Sequence, residues 1–202
     1  MHRRAALGSL SIWALAAAGA GILSGCGDSK PQFKAIDLTG ADYARDFQLA
    51  DHNGQQRSLK DFRGKVVVLF FGYTQCPDVC PTTMAELAEA KKLMGPDGDK
   101  VQGLFVTLDP ERDTPEVLKA YMTNFDPSFL ALRGTPEQIA ALAKEFKIYY
   151  KKVEGKTLTS YTLDHSAASY VYDTQGRLRL YTRYGTGPQA LASDMQLLLQ
   201  QG

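Results

Sequence analysis

The sequence predicts an α/β domain with a mixed central sheet, helices on both faces and an N-terminal hairpin. Three observations lead there. Val66 to Phe71 is wholly apolar, as a central strand is when both its faces are covered. From that run onward, strand-like and helix-like segments alternate. A two-strand turn and a last helix then close the chain, which is the order of a sheet sandwiched between helices. The composition is that of an ordinary globular protein, 44% hydrophobic, with 23 basic and 22 acidic residues and a net charge of +1. So even a balance gives no basic surface for phosphates, and no nucleic-acid partner is expected.

Taken in order, Phe47-Gln48-Leu49 and Gln56-Arg57-Ser58-Leu59 flank Asp51-His52-Asn53-Gly54, whose Asn-Gly pair is a hairpin signal. The strand Val66–Phe71 follows. A helix from Pro81 to about Met94 carries its apolar stripe on Met84, Leu87, Ala88 and Leu93. Val101 to Leu108 is the next strand. Thr114-Pro115 and Thr135-Pro136 each pair an N-cap with a proline suited to the first helical position, and Thr135-Pro136-Glu137-Gln138 completes a capping box. Those helices are expected to run to about Phe125 and Phe146. Ile148–Val153 reads as a further strand. Ser169–Asp173 and Arg177–Tyr184 are strands joined at Thr174-Gln175-Gly176, and Pro188 to about Leu199 is the last helix.

The N-terminus sets the compartment. His2-Arg3-Arg4 precedes an almost uncharged apolar stretch from Ala5 to Leu23, as in a secretory signal. Its end, Leu23-Ser24-Gly25-Cys26, resembles the lipobox of bacterial lipoproteins. That resemblance implies cleavage before Cys26 and acylation of its thiol. A plain membrane span is the alternative, because the run approaches the ~20 residues a span needs. Its richness in Ala and Gly and its lipobox ending favour a lipid anchor. Residues 1–25 are thus expected to be a signal peptide, 26–41 a polar, aperiodic tether, and 42–202 the folded domain. The expected location is the bacterial cell membrane, with the domain facing the periplasm or another extracytoplasmic space.

With Cys26 lipidated, two of the three cysteines stay free, Cys76 and Cys80 in Gly72-Tyr73-Thr74-Gln75-Cys76-Pro77-Asp78-Val79-Cys80-Pro81. Pro81 suits a first helical position, which makes Cys80 the N-cap and 76–80 a loop over a helix N-terminus. Unpaired N–H groups there favour thiolates. Outside the cytoplasm so close a pair readily forms a Cys76–Cys80 disulfide. As a structural staple it would close too short a loop to restrict the unfolded chain much. The pair therefore points to reversible disulfide chemistry or to a soft metal ion. Asp78 reads as an exposed loop acid with no ligand role. His52 sits in a turn that any polar residue would serve.

The element order, with a dithiol after the first central strand, is that of a thioredoxin-like domain. Two features depart from thioredoxins. The cysteines are separated by three residues rather than two, and Asp164-His165-Ser166-Ala167 stands where a cis-proline is usual. The chain here resembles the Sco/SenC family of copper-binding proteins that assist cytochrome c oxidase assembly. The resemblance rests on residues 72–81, on Leu108-Asp109-Pro110-Glu111-Arg112-Asp113-Thr114-Pro115 and on Asp164-His165-Ser166.

The resemblance implies one copper ion, Cu(I) or Cu(II), held by Cys76, Cys80 and His165. It also implies a metallochaperone rather than an enzyme. The partners it implies are an extracytoplasmic copper donor and cytochrome c oxidase subunit II, whose dinuclear copper centre would receive the metal. The alternative is a thiol–disulfide oxidoreductase that keeps the cysteines of that subunit, or of a copper carrier, reduced. It would need the dithiol but not His165. Ligand identity alone does not separate copper from zinc. The 109–113 segment reads either as a strand exit with a helix start or as a partner-docking or ligand-supporting element. Tyr149-Tyr150-Lys151-Lys152 reads as an amphipathic edge strand whose basic pair protects the edge.

Overall fold

The computed structural model describes residues 32–157 and 160–202. Residues 1–25, expected to be a signal peptide, and Cys26 lie outside the described residues. Along the described chain run β1 (Ile36–Asp37), β2 (Leu49–Asp51), β3 (Gln56–Arg57), β4 (Val66–Gly72), α1 (Val79–Leu93), β5 (Val101–Thr107), α2 (Pro115–Thr123), β6 (Leu130–Arg133), α3 (Pro136–Glu145), β7 (Tyr150–Glu154), β8 (Tyr161–His165), β9 (Ala168–Tyr172), β10 (Leu178–Arg183) and α4 (Pro188–Gln200).

Eight strands form one mixed sheet in the order β1-β10-β9-β4-β5-β6-β2-β3, and β7 with β8 forms a separate ribbon. β4 is central and buried along its whole length. It pairs in parallel with β5, from Val66 opposite Val101 to Gly72 opposite Thr107, and antiparallel with β9. The alternation of a strand sorts its side chains. Phe70 and Gly72 share one face with Phe105, against which Tyr121 of α2 packs, its ring centroid 5.5 Å away. Phe71 points to the other face and meets Phe146, just past α3, at 5.2 Å. Helical segments thus cover both faces, as expected, and their buried side chains merge into one core.

The N-terminal hairpin forms as β2 and β3, with Gly54 at φ 82° closing the turn and Asp51 Oδ1 accepting the backbone N–H groups of Asn53 and Gln55. Thr114 and Thr135 cap α2 and α3, and the Thr135–Gln138 capping box is complete.

Three expectations change. First, α1 starts at Val79 with Asp78 as N-cap, so Cys80 lies inside the first turn and Pro81 is the third helical residue. The first-turn N–H groups have no intrahelical acceptor, so a proline there forfeits no hydrogen bond. Second, the stretch read as tether to residue 41 is docked from its described start. β1 pairs with β10, and the Asp194 carboxylate accepts the N–H groups of Lys34 and Ala35 at 2.8 Å each. Third, β6 and β8 are strands without a strong local signal. Leu130-Ala131-Leu132-Arg133 favours a helix intrinsically, yet it fills the gap between β5 and β2, so pairing overrides propensity.

Candidate metal centre

The site is built where β4 ends. Gly72 has no side chain, and a Cβ there would lie 2.8 Å from Cys80 Sγ and 2.9 Å from both Phe105 Cε2 and Phe70 Cε1. Its absence lets the first turn of α1 press Cys80 against the sheet, fully buried. Cys76 lies earlier in the loop and is partly exposed. Both thiols are free.

His165 ends β8, far away in sequence, yet its Nε2 lies 3.4 Å from Cys80 Sγ. Its Nδ1 is 2.9 Å from the Ser166 carbonyl oxygen. A carbonyl can only accept, so Nδ1 carries the proton and Nε2 turns its lone pair toward the thiols. The rings of Phe70 and Tyr73 hold the imidazole edge-on at 6.0 and 5.9 Å. The two sulfurs and one ring nitrogen all lie within 4.8 Å of one another. Cys76 and His165 line a groove of about 320 Å³ together with Tyr73, Val79, Leu163 and Asp164, and Cys80 lies buried behind it.

The electrostatics differ from the sequence expectation. Burial pushes the Cys80 thiol well up, only partly offset by a hydrogen bond from the Tyr73 backbone, and the neighbouring Cys76 raises it further. Desolvation thus outweighs the helix N-terminus, and Cys80 is a thiol until something displaces its proton. Burial also lowers the pKa of His165, against smaller opposing effects from the Ser166 carbonyl and Asp164. The imidazole is therefore neutral at pH 7 and ready to donate its lone pair. Two sulfur donors and one imidazole suit a soft or borderline ion, and three protein donors leave a coordination position open.

The other singled-out residues find their places. His52 is structural: its ring Nδ1 accepts the Ala131 N–H at 3.1 Å, and its backbone N–H donates to the Ala131 carbonyl. Asp78 is exposed at the start of α1, with the Tyr184 hydroxyl 3.5 Å from its carboxylate. Lys151 and Lys152 lie on the exposed β7. The 109–113 segment is neither a bare strand exit nor open surface. Asp113 is fully buried and accepts from the Thr107 hydroxyl and from the Thr74 hydroxyl and N–H, at 2.5, 2.5 and 3.1 Å. Arg112 pairs with Asp109, reaches Gln75 and stacks on Tyr161. Neither Tyr73 nor Tyr161 stands out in the sequence. Tyr73 is flagged only by its place between strand and dithiol, and Tyr161 by nothing local.

A thioredoxin-like sheet with a reduced dithiol on its central strand–helix junction, and an imidazole brought over it from a hairpin, defines a thioredoxin-fold protein with a Cys2His group that could hold a metal ion. The SCO1/SenC family model matches residues 37–200, and the chain belongs to that family. It is 34% identical over 147 residues to an SCO2-like protein of Rickettsia felis, covering 72% of each chain. It resembles the structure of Bradyrhizobium japonicum ScoI with copper bound at 42% identity and a TM-score of 0.69, covering 76% of this chain and 97% of that one. The apo Sco1 protein of Thermus thermophilus is similar at 38% identity and a TM-score of 0.74, covering 84% and 99%.

Proposed function

We propose that this protein is a membrane-anchored, extracytoplasmic copper metallochaperone. It holds one copper ion through Cys76, Cys80 and His165 and passes it to the dinuclear copper centre of cytochrome c oxidase subunit II. The observation that carries this reading is the convergence of two thiol sulfurs and His165 Nε2 within 4.8 Å, with the tautomer set by Ser166. A relative solved with copper bound supports copper over zinc. Loading displaces thiol protons to solvent, and the open coordination position facing the groove gives an acceptor ligand a way in. The anchor rests on the lipobox at Cys26, and intact-mass analysis of the mature N-terminus tests it: an unmodified Cys26 sinks the lipid anchor. No helix among the described residues is long and apolar enough to cross a membrane.

A second reading has its own observation. A partly exposed Cys76 above a buried Cys80 is the arrangement of an attacking and a resolving thiol, which suits an oxidoreductase acting on the cysteines of the same subunit or of a copper carrier. His165 separates the two. Copper titration should give one ion per chain, with Cys76→Ser, Cys80→Ser and His165→Ala each weakening binding strongly and His52→Ala leaving it unchanged. Wild-type copper affinity in His165→Ala, with disulfide reduction intact, would put the oxidoreductase first.

A further inference from the structure

The β7–β8 ribbon stands apart from the main sheet, and β8, which carries His165, hydrogen-bonds as a strand only to β7 among the described residues. Something else must hold the imidazole over the thiols. One side chain ties the ribbon to the dithiol loop. Arg112 Nη1 donates to the Tyr161 carbonyl at 3.0 Å, at the start of β8, and to Gln75 Oε1 at 3.1 Å, next to Cys76. Its guanidinium carbon lies 3.5 Å from the Tyr161 ring centroid and 5.8 Å from that of Tyr73, the ring that braces His165. Arg112 Nε pairs with Asp109, and the Tyr161 hydroxyl donates to the other Asp109 oxygen at 2.7 Å. Lys152 Nζ lies 3.9 Å from the Tyr161 ring centroid.

We infer that Arg112 is a positioning residue of the metal centre, fastening the hairpin that carries His165 to the loop that carries Cys76. The inference rests on the copper reading for its purpose, but not for its geometry. Only a planar guanidinium stacks on a ring and donates from its edge to a carboxylate, an amide and a carbonyl at once; a lysine ammonium is a point charge that does not. Its remaining nitrogen, Nη2, is enclosed without a partner, which makes Arg112 a poor choice for stability alone. In metal sites, groups that orient a ligand typically change metal affinity about 10–100-fold when replaced.

The test uses the full chain and four variants: Arg112→Lys, Tyr161→Phe, His165→Ala and the Arg112→Lys/His165→Ala double variant. Arg112→Lys keeps a cation for Asp109, so the buried carboxylate is not orphaned. In the reduced, metal-free protein, hydrogen exchange should quicken in β7 and β8 in Arg112→Lys and less so in Tyr161→Phe, with β4 and β5 unchanged. Copper affinity should fall about tenfold or more in Arg112→Lys. With Cu(II), the imidazole nitrogen hyperfine signal should weaken in parallel. In the His165→Ala background the same Arg112 change should cost little, because its effect runs through the imidazole. Unchanged exchange in the ribbon, or an equal loss of affinity in both backgrounds, overturns the proposal. If His165→Ala alone leaves affinity unchanged, the ligand reading fails instead, and exchange in the metal-free protein still decides the role of Arg112.

Discussion

Replacing Gly72 by alanine tests the tightest packing in the site. The added methyl would sit 2.8 Å from Cys80 Sγ and 2.9 Å from two aromatic carbons, of Phe105 and Phe70, all well inside van der Waals contact. Overpacking of this kind costs ~1–3 kcal/mol. The loss of glycine's backbone freedom in the unfolded chain returns ~0.5–1 kcal/mol in a strand. The net loss is about 0–2.5 kcal/mol, a fall in melting temperature of up to roughly 10 °C for a domain of this size. The metal site should suffer as well. Cys80 Sγ is the atom displaced, and its 3.4 Å approach to His165 Nε2 is what brings the donors together. Copper affinity should drop about tenfold or more. Gly103→Ala is the control. Its Cβ would meet Phe129 at 2.6 Å and Leu87 at 3.0 Å, away from the thiols, so stability should fall with copper affinity kept. A raised melting temperature in Gly72→Ala would show that Cys80 has room to spare, since only the gain from losing glycine's backbone freedom would then remain. A lowered one with wild-type copper affinity would refute the argument that Gly72 sets the sulfur's position.

Copper affinity should rise with pH, about tenfold per unit for each thiol proton displaced, because burial holds Cys80 protonated in the free protein. His165 has a lowered pKa, so its protonation adds to the slope only below its ordinary value of 6.5; a flat profile between pH 6.5 and 8 in buffered titrations would contradict the thiol burial. The linkage sign is the same for the imidazole's share of stability: it is present above that value and lost as pH falls through the lowered one. Oxidation to a Cys76–Cys80 disulfide should abolish copper binding and leave the fold intact, so the midpoint in a thiol redox buffer should shift with free copper by ~30 mV per ~1.4 kcal/mol of binding; a midpoint indifferent to copper would exclude the dithiol as the metal site. Asp113→Ala should cost about 3 kcal/mol or more in chemical denaturation, because three enclosed donors of Thr74 and Thr107 lose their acceptor. Asp113→Asn should lose much less, since it keeps an acceptor and removes a carboxylate whose pKa burial raises; equal losses in the two would show that charge, not the hydrogen bonds, is what matters there.

Much of the fold was legible because its signals are local. A proline after a threonine marks where α2 and α3 begin, since the cap and the preset φ act within a few residues. The apolar run of β4 and the Asn53-Gly54 turn are equally self-contained. The start of α1 was misplaced by two positions for the converse reason: a proline is tolerated at several first-turn positions, and the sequence does not say which one. β6 and β8 were illegible because their strand state comes from partners elsewhere in the chain.

By itself the sequence determined that two thiols stand on a strand–helix junction, that a short list of histidines competes to join them, and which family motifs surround them. Those facts are fixed by residue identity and spacing. Only the tertiary structure decided that Cys80 is buried deeply enough for desolvation to override the helix N-terminus. It also decided that His165 reaches Cys80 with its Nε2 free, and that Arg112 links the two arms of the site. Desolvation and long-range contact depend on how the whole chain packs, and no short window of sequence carries that information.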